Sequence, residues 1–189
     1  MVFGLILALA QAAAAPLPAA ERPNIVAERL ELGFKLCARH VVRQGILSPD
    51  HSEELAALGV RLLDDVAEDI RANTGPLFTQ DRIFAKIGQD GANVYVSTAV
   101  NSTACRVIVA DTADGLRGRL KFVDDLRQTS AWTYDQRRSG TVDGMMKDEL
   151  VLASGSMIAI MNGPNYIAND GVGVQSFLTV ALLPPQGTN

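Results

Sequence analysis

The two cysteines and two histidines are the side chains best suited to nucleophilic or metal chemistry. Cys37 and Cys105 are the only cysteines, and His40 and His51 are the only histidines. Because His40 follows Cys37 by three residues, the two side chains would share one face of a helix, and a thiol beside an imidazole could act as a nucleophile. Two buried free thiols are another possibility. The even cysteine count instead favours a disulfide if the chain enters an oxidising compartment.

The N-terminus predicts such export. Residues 1–20 carry no charged side chain, residues 2–9 are strongly apolar and residues 12–15 are all alanine. Prolines at 16 and 18 interrupt the apolar run before it reaches the roughly 20 residues that a membrane span needs. An apolar run followed by small residues is typical of a secretory signal peptide. We expect residues 1–15 to be this peptide, cleaved near Ala14 or Ala15, and the mature protein to function in the periplasm or outside the cell.

An aromatic and basic pattern in the C-terminal half indicates a candidate recognition surface. Trp132, Tyr134, Gln136 and Arg138 alternate along a predicted strand, which would place all four on one face. Two rings beside a guanidinium could stack on a sugar or bind an anionic group. The alternative is core packing that ends in an exposed arginine. The candidate recognition residues are therefore Trp132, Tyr134 and Arg138.

The motifs of common enzyme classes are missing from the sequence. It contains no Gly-x-x-x-x-Gly-Lys-Ser/Thr loop for nucleotide phosphates and no Gly-x-Ser-x-Gly nucleophile elbow. The acidic residues Asp64, Asp65, Glu68 and Asp69 could bind calcium or magnesium, but a solvated helix face is the simpler interpretation. We therefore expect no metal site, no cofactor and no catalytic residue.

Composition excludes several kinds of protein. The 189 residues carry a formal net charge of −4, which argues against nucleic acid as a partner because phosphate neutralisation needs clustered positive charge. Hydrophobic residues make up 48% of the chain, too many for a disordered protein. No second long apolar run follows the N-terminal one, so we expect no transmembrane span once the signal peptide is removed.

Apolar spacing predicts three helical regions. In the first, a stripe of residues three or four apart begins at Val26 and includes Cys37, which therefore points at the core. A second helix starts at Ser48-Pro49, and helical spacing resumes after Gly59 as far as Ile70. A third helix begins at Asp111 or Thr112. Its predicted buried side consists of Leu116, Leu120, Val123 and Leu126.

Short alternating runs predict strands at 82–88, 93–100, 104–110, 132–138, 145–152, 156–161 and 173–183. Because short turns join neighbouring runs, most strands should pair antiparallel. The prediction is an α+β fold, in which N-terminal helices and one inserted helix pack on a mostly antiparallel sheet of about six or seven strands. Cys105 would lie on the buried face beneath the first helix. We expect one domain over 24–183, a disordered lead-in at 16–23 and a disordered tail at 184–189.

Two functions of different classes remain open. The first is a non-catalytic binding role in the cell envelope, with an envelope protein or a small molecule as partner. The alternative is a small envelope hydrolase that uses carboxylates, His40 or His51. A hydrolase needs a deep pocket with convergent polar groups, whereas a binding protein needs an apolar surface patch. A carrier of lipophilic ligands, a third possibility, would need a cavity between helices and sheet.

Overall fold

The structure is a computed structural model that describes residues 23–43, 45–74, 81–89 and 92–184. The predicted signal peptide, the lead-in before Pro23 and the tail after Pro184 lie outside the described residues. Among the residues described, no helix is both long and apolar enough to cross a membrane.

The first helix, α1 (Ile25–Arg43), follows the predicted apolar stripe. The side-chain oxygen of Asn24 accepts a hydrogen bond of 3.1 Å from the backbone N–H of Ala27, which caps the first turn. The stripe residues are all buried against the sheet: Val26, Leu30, Phe34, Cys37 and Val41. The remaining helices are α2 (Ser52–Ala57), which a short 3₁₀ turn at Pro49–His51 precedes, α3 (Glu68–Ala72) and α4 (Gly115–Arg127).

Nine antiparallel strands form one sheet in the described part of the chain. They are β1 (Val60–Leu63), β2 (Arg82–Ile87), β3 (Asn93–Ala99), β4 (Ala104–Ala110), β5 (Trp132–Tyr134), β6 (Gly140–Val142), β7 (Met145–Leu152), β8 (Met157–Pro164) and β9 (Val174–Leu182). The order across the sheet is β1-β2-β3-β4-β9-β8-β7-β5, and β6 also pairs with β7. The α+β prediction is confirmed, and the strand number exceeds the expected six or seven.

The strand β1 corrects the prediction that helical spacing continues after Gly59. Gly59 has a φ of +72°, a conformation that turns the chain after α2 and that glycine adopts without strain. The next four residues then pair along β2, with Val60 opposite Ile87. Pairing with a distant strand outweighs the local spacing, and only α3 remains of the predicted helix. The other unexpected strand, β6, has three exposed residues and therefore no apolar alternation to reveal it.

A disulfide joins α1 to the middle of the sheet, as predicted. The sulfur atoms of Cys37 and Cys105 are 2.01 Å apart, the Cα atoms are 5.2 Å apart, and neither residue is exposed to solvent. Cys105 lies on β4 opposite Val180 of β9, and both side chains belong to the buried cluster that includes the inner face of α1. The bond therefore crosses the core between the two layers of the fold.

Replacing both cysteines, as Cys37→Ala and Cys105→Ala, should lower the free energy of unfolding by on the order of 4 kcal/mol. The two residues are 68 positions apart in the sequence. The bond therefore closes a long loop in the unfolded chain and lowers its conformational entropy. Urea denaturation followed by far-UV circular dichroism measures the change. Reduction of the native protein should give a similar loss, and a loss below about 1 kcal/mol in both experiments would contradict the prediction.

A histidine lies in the core beside this bond. His40, one turn after Cys37 on α1, is fully buried, and its Nε2 is 3.3 Å from the carbonyl oxygen of Ala99. Its Nδ1 has no hydrogen-bond partner. Burial lowers the pKa of His40, and the hydrogen bond to Ala99 opposes this effect without overcoming it.

This burial predicts an acid-sensitive stability. The unfolded chain protonates His40 near pH 6.5, whereas the folded protein resists protonation until a lower pH. The free energy of unfolding should therefore fall as the pH drops below 6.5, by up to about 1.4 kcal/mol per pH unit, until the pH reaches the lowered pKa of the folded state. Urea denaturation between about pH 7.5 and pH 5 measures this slope.

The variant His40→Gln keeps a donor for Ala99 but does not titrate, so it should lose the slope. His51 is the matched control because its side chain is exposed at the surface. The variant His51→Gln should keep the slope, and equal slopes in the two variants would show that His40 is not the titrating group.

Candidate functional site

A groove with a volume of about 590 Å³ lies between α1 and α4 and continues to the start of β5. Its apolar surface comes from both helices and the strand: Ala27 and Phe34 from α1, Phe122 and Leu126 from α4, and Ala131 and Trp132. The two positions are seven apart on α1 and four apart on α4, so each pair lies on one face of its helix. The groove therefore follows directly from the side-by-side packing of α1 and α4.

Glycine allows this packing. Gly118 of α4 lies against Val26 of α1, and a methyl group at position 118 would overlap the Val26 side chain. The two helix backbones approach closely at this point. Further along, the rings of Phe34 and Phe122 fill the space between the helices, with their centroids 5.8 Å apart.

Three aromatic rings form the centre of the groove. The Phe34 ring makes edge-to-face contacts with Phe122 at 5.8 Å and with Trp132 at 5.2 Å. Such pairs contribute about 0.5–1.5 kcal/mol each beyond simple burial. Trp132 is only half-buried, so part of its ring remains available to a ligand. The cluster offers a rigid apolar surface.

Charged side chains surround this apolar floor. Lys35 pairs with Glu31 at 2.6 Å on α1, and Lys121 pairs with Asp125 at 2.5 Å on α4. Exposed pairs of this kind contribute at most about 1 kcal/mol, so they can rearrange around a ligand. Glu28 is a third carboxylate at the rim, beside Glu31 and Asp125, whereas the rim has two lysines. The rim therefore has an excess of one negative charge.

The structure separates the three candidate recognition residues. Trp132 lies in the groove. Tyr134 shares its face of β5, but the Tyr134 hydroxyl donates a hydrogen bond of 3.1 Å to Asp148 and the Arg127 guanidinium lies 4.3 Å from the centre of its ring. Arg138 lies in a turn after β5, where its guanidinium donates to Glu149 at 3.1 Å.

The strand predicted over 132–138 therefore ends at Tyr134. The backbone N–H of Arg138 donates to the carbonyl oxygen of Asp135, which closes a turn instead of continuing the strand. Trp132 and Tyr134 share a face as expected, whereas Arg138 does not join them. The side chain of Asp135 also accepts a hydrogen bond from the backbone N–H of Arg137. Such a local bond competes with strand pairing, and the alternation of residue types does not reveal it.

The other candidates for chemistry do not meet in the groove. Neither His40 nor His51 lines it, and both cysteines are in the disulfide. In the acidic segment before α3, Asp65 pairs with Arg71. Over the described ranges, no group of three His, Cys, Asp or Glu side chains is placed to bind a metal ion.

One buried residue escaped the sequence analysis. The predicted buried side of α4 included Leu120, yet Leu120 is 44% exposed and the neighbouring Arg119 is fully buried. The predictions for Val123 and Leu126 are confirmed, and the full set of buried residues in α4 is Gly115, Gly118, Arg119, Phe122, Val123 and Leu126. The two glycines were the available signal, because small residues mark the side on which a helix lies closest to its neighbours. An arginine is ordinarily solvated, which is why its burial was not expected.

No family model, curated protein or solved structure matches this chain. Its function must therefore be inferred from the groove and the residues around it.

Proposed function

We propose that the protein is an exported, non-catalytic binding protein, and that the groove between α1 and α4 binds the apolar part of a small amphiphilic molecule. The observation that carries this proposal is the groove of about 590 Å³ with Phe34, Phe122 and Trp132 at its centre. Small-molecule sites typically measure 300–1,000 Å³ and combine an apolar lining with few polar groups. The groove favours binding over the hydrolase alternative, because no histidine lines it and two of its three carboxylates, Glu31 and Asp125, are exposed and paired with lysines.

The rim indicates the class of ligand. Glu28, Glu31 and Asp125 outnumber Lys35 and Lys121, and each lysine already has a carboxylate partner. A neutral or cationic head group would add no repulsion at this rim, whereas an anionic head group would compete with the carboxylates. The proposed ligand is therefore an apolar chain or ring system with a neutral or positively charged head.

The disulfide supports the proposed location in the periplasm or outside the cell. Disulfides form and persist in oxidising compartments and are rare in the reducing cytosol. The Cys37–Cys105 bond is buried and joins two layers of the fold, which is typical of a structural bond. Together with the apolar N-terminal sequence, it favours export by a cleaved signal peptide.

Export can be tested by expressing the full chain with a C-terminal tag in a Gram-negative host. The tagged protein should be recovered from the periplasm with a mature N-terminus at Ala15 or Pro16, and its mass should be two hydrogens below that of the reduced form. The variant Leu7→Arg, which places a charge in the apolar run, should keep the protein in the cytosol. Recovery of the wild-type chain in the cytosol with its N-terminus intact and both thiols free would overturn the proposed location.

Ligand binding can be followed through Trp132, the only tryptophan in the chain. Titration with a dodecyl-chain amphiphile below its micelle concentration should shift Trp132 emission to shorter wavelength and reach saturation. Dodecyltrimethylammonium should bind more tightly than dodecyl sulfate, because the rim carries an excess of carboxylates. The absence of any saturable change with either amphiphile would overturn the proposed function.

Two neighbouring substitutions test whether the groove is the binding site. Ala131 lines the groove and Ser130 does not, although both are exposed. The variant Ala131→Gln should weaken binding by about tenfold, equivalent to about 1.4 kcal/mol, because it places a large polar group in the groove. The control Ser130→Gln should bind like the wild type. Equal affinities for the two variants would place the ligand elsewhere.

A further inference from the structure

Arg119 brings a positive charge into the core between α4 and the strands β7 and β8. Its side chain is fully buried, and only its Nη2 has a hydrogen-bond partner, the sulfur of Met146 at 3.1 Å. The Nε and Nη1 groups have none. The guanidinium lies against Gly163 of β8, where a side chain would occupy its space. Burying a charge that has so few partners is expensive, so this placement needs a compensating interaction.

Asp148 of β7 supplies the opposite charge. It is 6% exposed and lies two residues after Met146, so it shares the face of β7 on which the Met146 sulfur contacts Arg119. No hydrogen bond joins the two side chains, and the negative charge of Asp148 favours the charged form of Arg119. Attraction of this kind is stronger in the interior than in water because the effective dielectric constant is lower. One carboxylate oxygen of Asp148 accepts the hydrogen bond from the Tyr134 hydroxyl, and the other has no partner.

These contacts reach both sides of the groove. Arg119 lies on the same face of α4 as Phe122 and Leu126, three and seven residues later. Tyr134 lies on the same face of β5 as Trp132, two residues earlier. A single carboxylate therefore acts on both the helix and the strand whose side chains form the groove.

We propose that Asp148 is a positioning residue which, through its charge on Arg119 and its hydrogen bond with Tyr134, sets the distance of α4 from β5 and so the shape of the groove at Trp132. The inference rests on the proposed function, because it takes the groove as the ligand site. If the inference is correct, loss of the Asp148 charge changes the surroundings of Trp132. This change does not require a direct contact between Asp148 and Trp132.

Removing only the charge of Asp148 should disturb the packing of α4 more than removing the charges of both Asp148 and Arg119. The variant Asp148→Asn keeps the size of the side chain and an acceptor for Tyr134, but it leaves the Arg119 guanidinium buried without a counter-charge. The helix α4 should then move towards solvent to hydrate this charge. The double variant Asp148→Asn with Arg119→Met removes both charges and fills the same space, so it should restore the packing.

The neighbouring residue provides a matched control. Glu149 is also a buried carboxylate of β7, but it faces the opposite side of the sheet, where Arg138 and Lys147 pair with it at 3.1 and 2.8 Å. The variant Glu149→Gln therefore removes a buried charge of the same strand without touching the groove. It should lower the free energy of unfolding and leave Trp132 unchanged.

The experiment measures Trp132 emission and acrylamide quenching in the ligand-free variants, with far-UV circular dichroism to confirm folding. Asp148→Asn should shift emission to longer wavelength and raise the quenching constant, and it should weaken amphiphile binding by about tenfold. The variant Tyr134→Phe removes only the hydroxyl. It should shift the emission wavelength and the quenching constant in the same directions as Asp148→Asn, but by smaller amounts. The double variant should return emission and quenching to wild-type values.

The inference is overturned if folded Asp148→Asn has wild-type Trp132 emission and quenching, or if Glu149→Gln changes them equally. If Asp148→Asn does not fold, Tyr134→Phe and the double variant decide the question: wild-type quenching in Tyr134→Phe, or altered quenching in the double variant, overturns it. Failure of the proposed function is a separate result, namely wild-type protein that binds no amphiphile, because quenching is measured without a ligand.

Discussion

The bond between Cys37 and Cys105 fixes the helical layer on the sheet at its centre. Cys37 lies two-thirds of the way along α1, and Cys105 lies on β4, the strand in the middle of the sheet order. With α1 fixed there, its inner face buries Leu30, Phe34 and Val41 against the strands. The helix α4 packs beside α1 along the edge of this buried face, where Gly118 meets Val26 and Phe122 meets Phe34.

The groove is a consequence of how α4 meets α1. Gly118 permits close approach near Val26, and the Phe34 and Phe122 rings then occupy the space between the helices. The Trp132 ring packs against Phe34 at the end of this space and remains half-buried. An apolar concavity with a charged rim is therefore produced by the same side chains that stabilise the core. A binding role requires no additional structure, which is the physical basis of the function proposed above.

Local periodicity predicted the parts of the fold that depend on local interactions. The stripe that begins at Val26 and the alternation around Cys105 each placed a cysteine on a buried face, and the disulfide follows from those two placements. The strand β1 was predicted as helix, because its pairing with β2 depends on residues more than twenty positions away. The prediction of β5 was too long because the bonds of Asp135 close a turn.

The candidate site was only partly predictable for the same reason. Trp132 was singled out for its chemistry, but its neighbours Phe34 and Phe122 belong to two helices that the sequence does not show to be adjacent. The burial of Arg119 was not predicted, because an arginine is ordinarily solvated and the groups around this one, Met146 and Gly163, belong to strands of another layer. Hydrophobic patterns identify residues that are buried by themselves. They do not identify a charged residue that is buried because of a distant partner.

The consecutive acids of β7 have a consequence for the assembly of the sheet. Asp148 faces the helices and Glu149 faces the other side, and each has its own cations there: Arg119 on one side, Arg138 and Lys147 on the other. Displacing β7 by one residue along its neighbours would exchange the two faces and would turn Leu150 outwards. A shift in one direction would bring Lys147 into the place of Asp148 and set a second cation against Arg119, whereas a shift in the other direction would bring Glu149 there. Misaligned pairing of β7 is thus penalised by lost apolar contact in both directions and by charge repulsion in one of them.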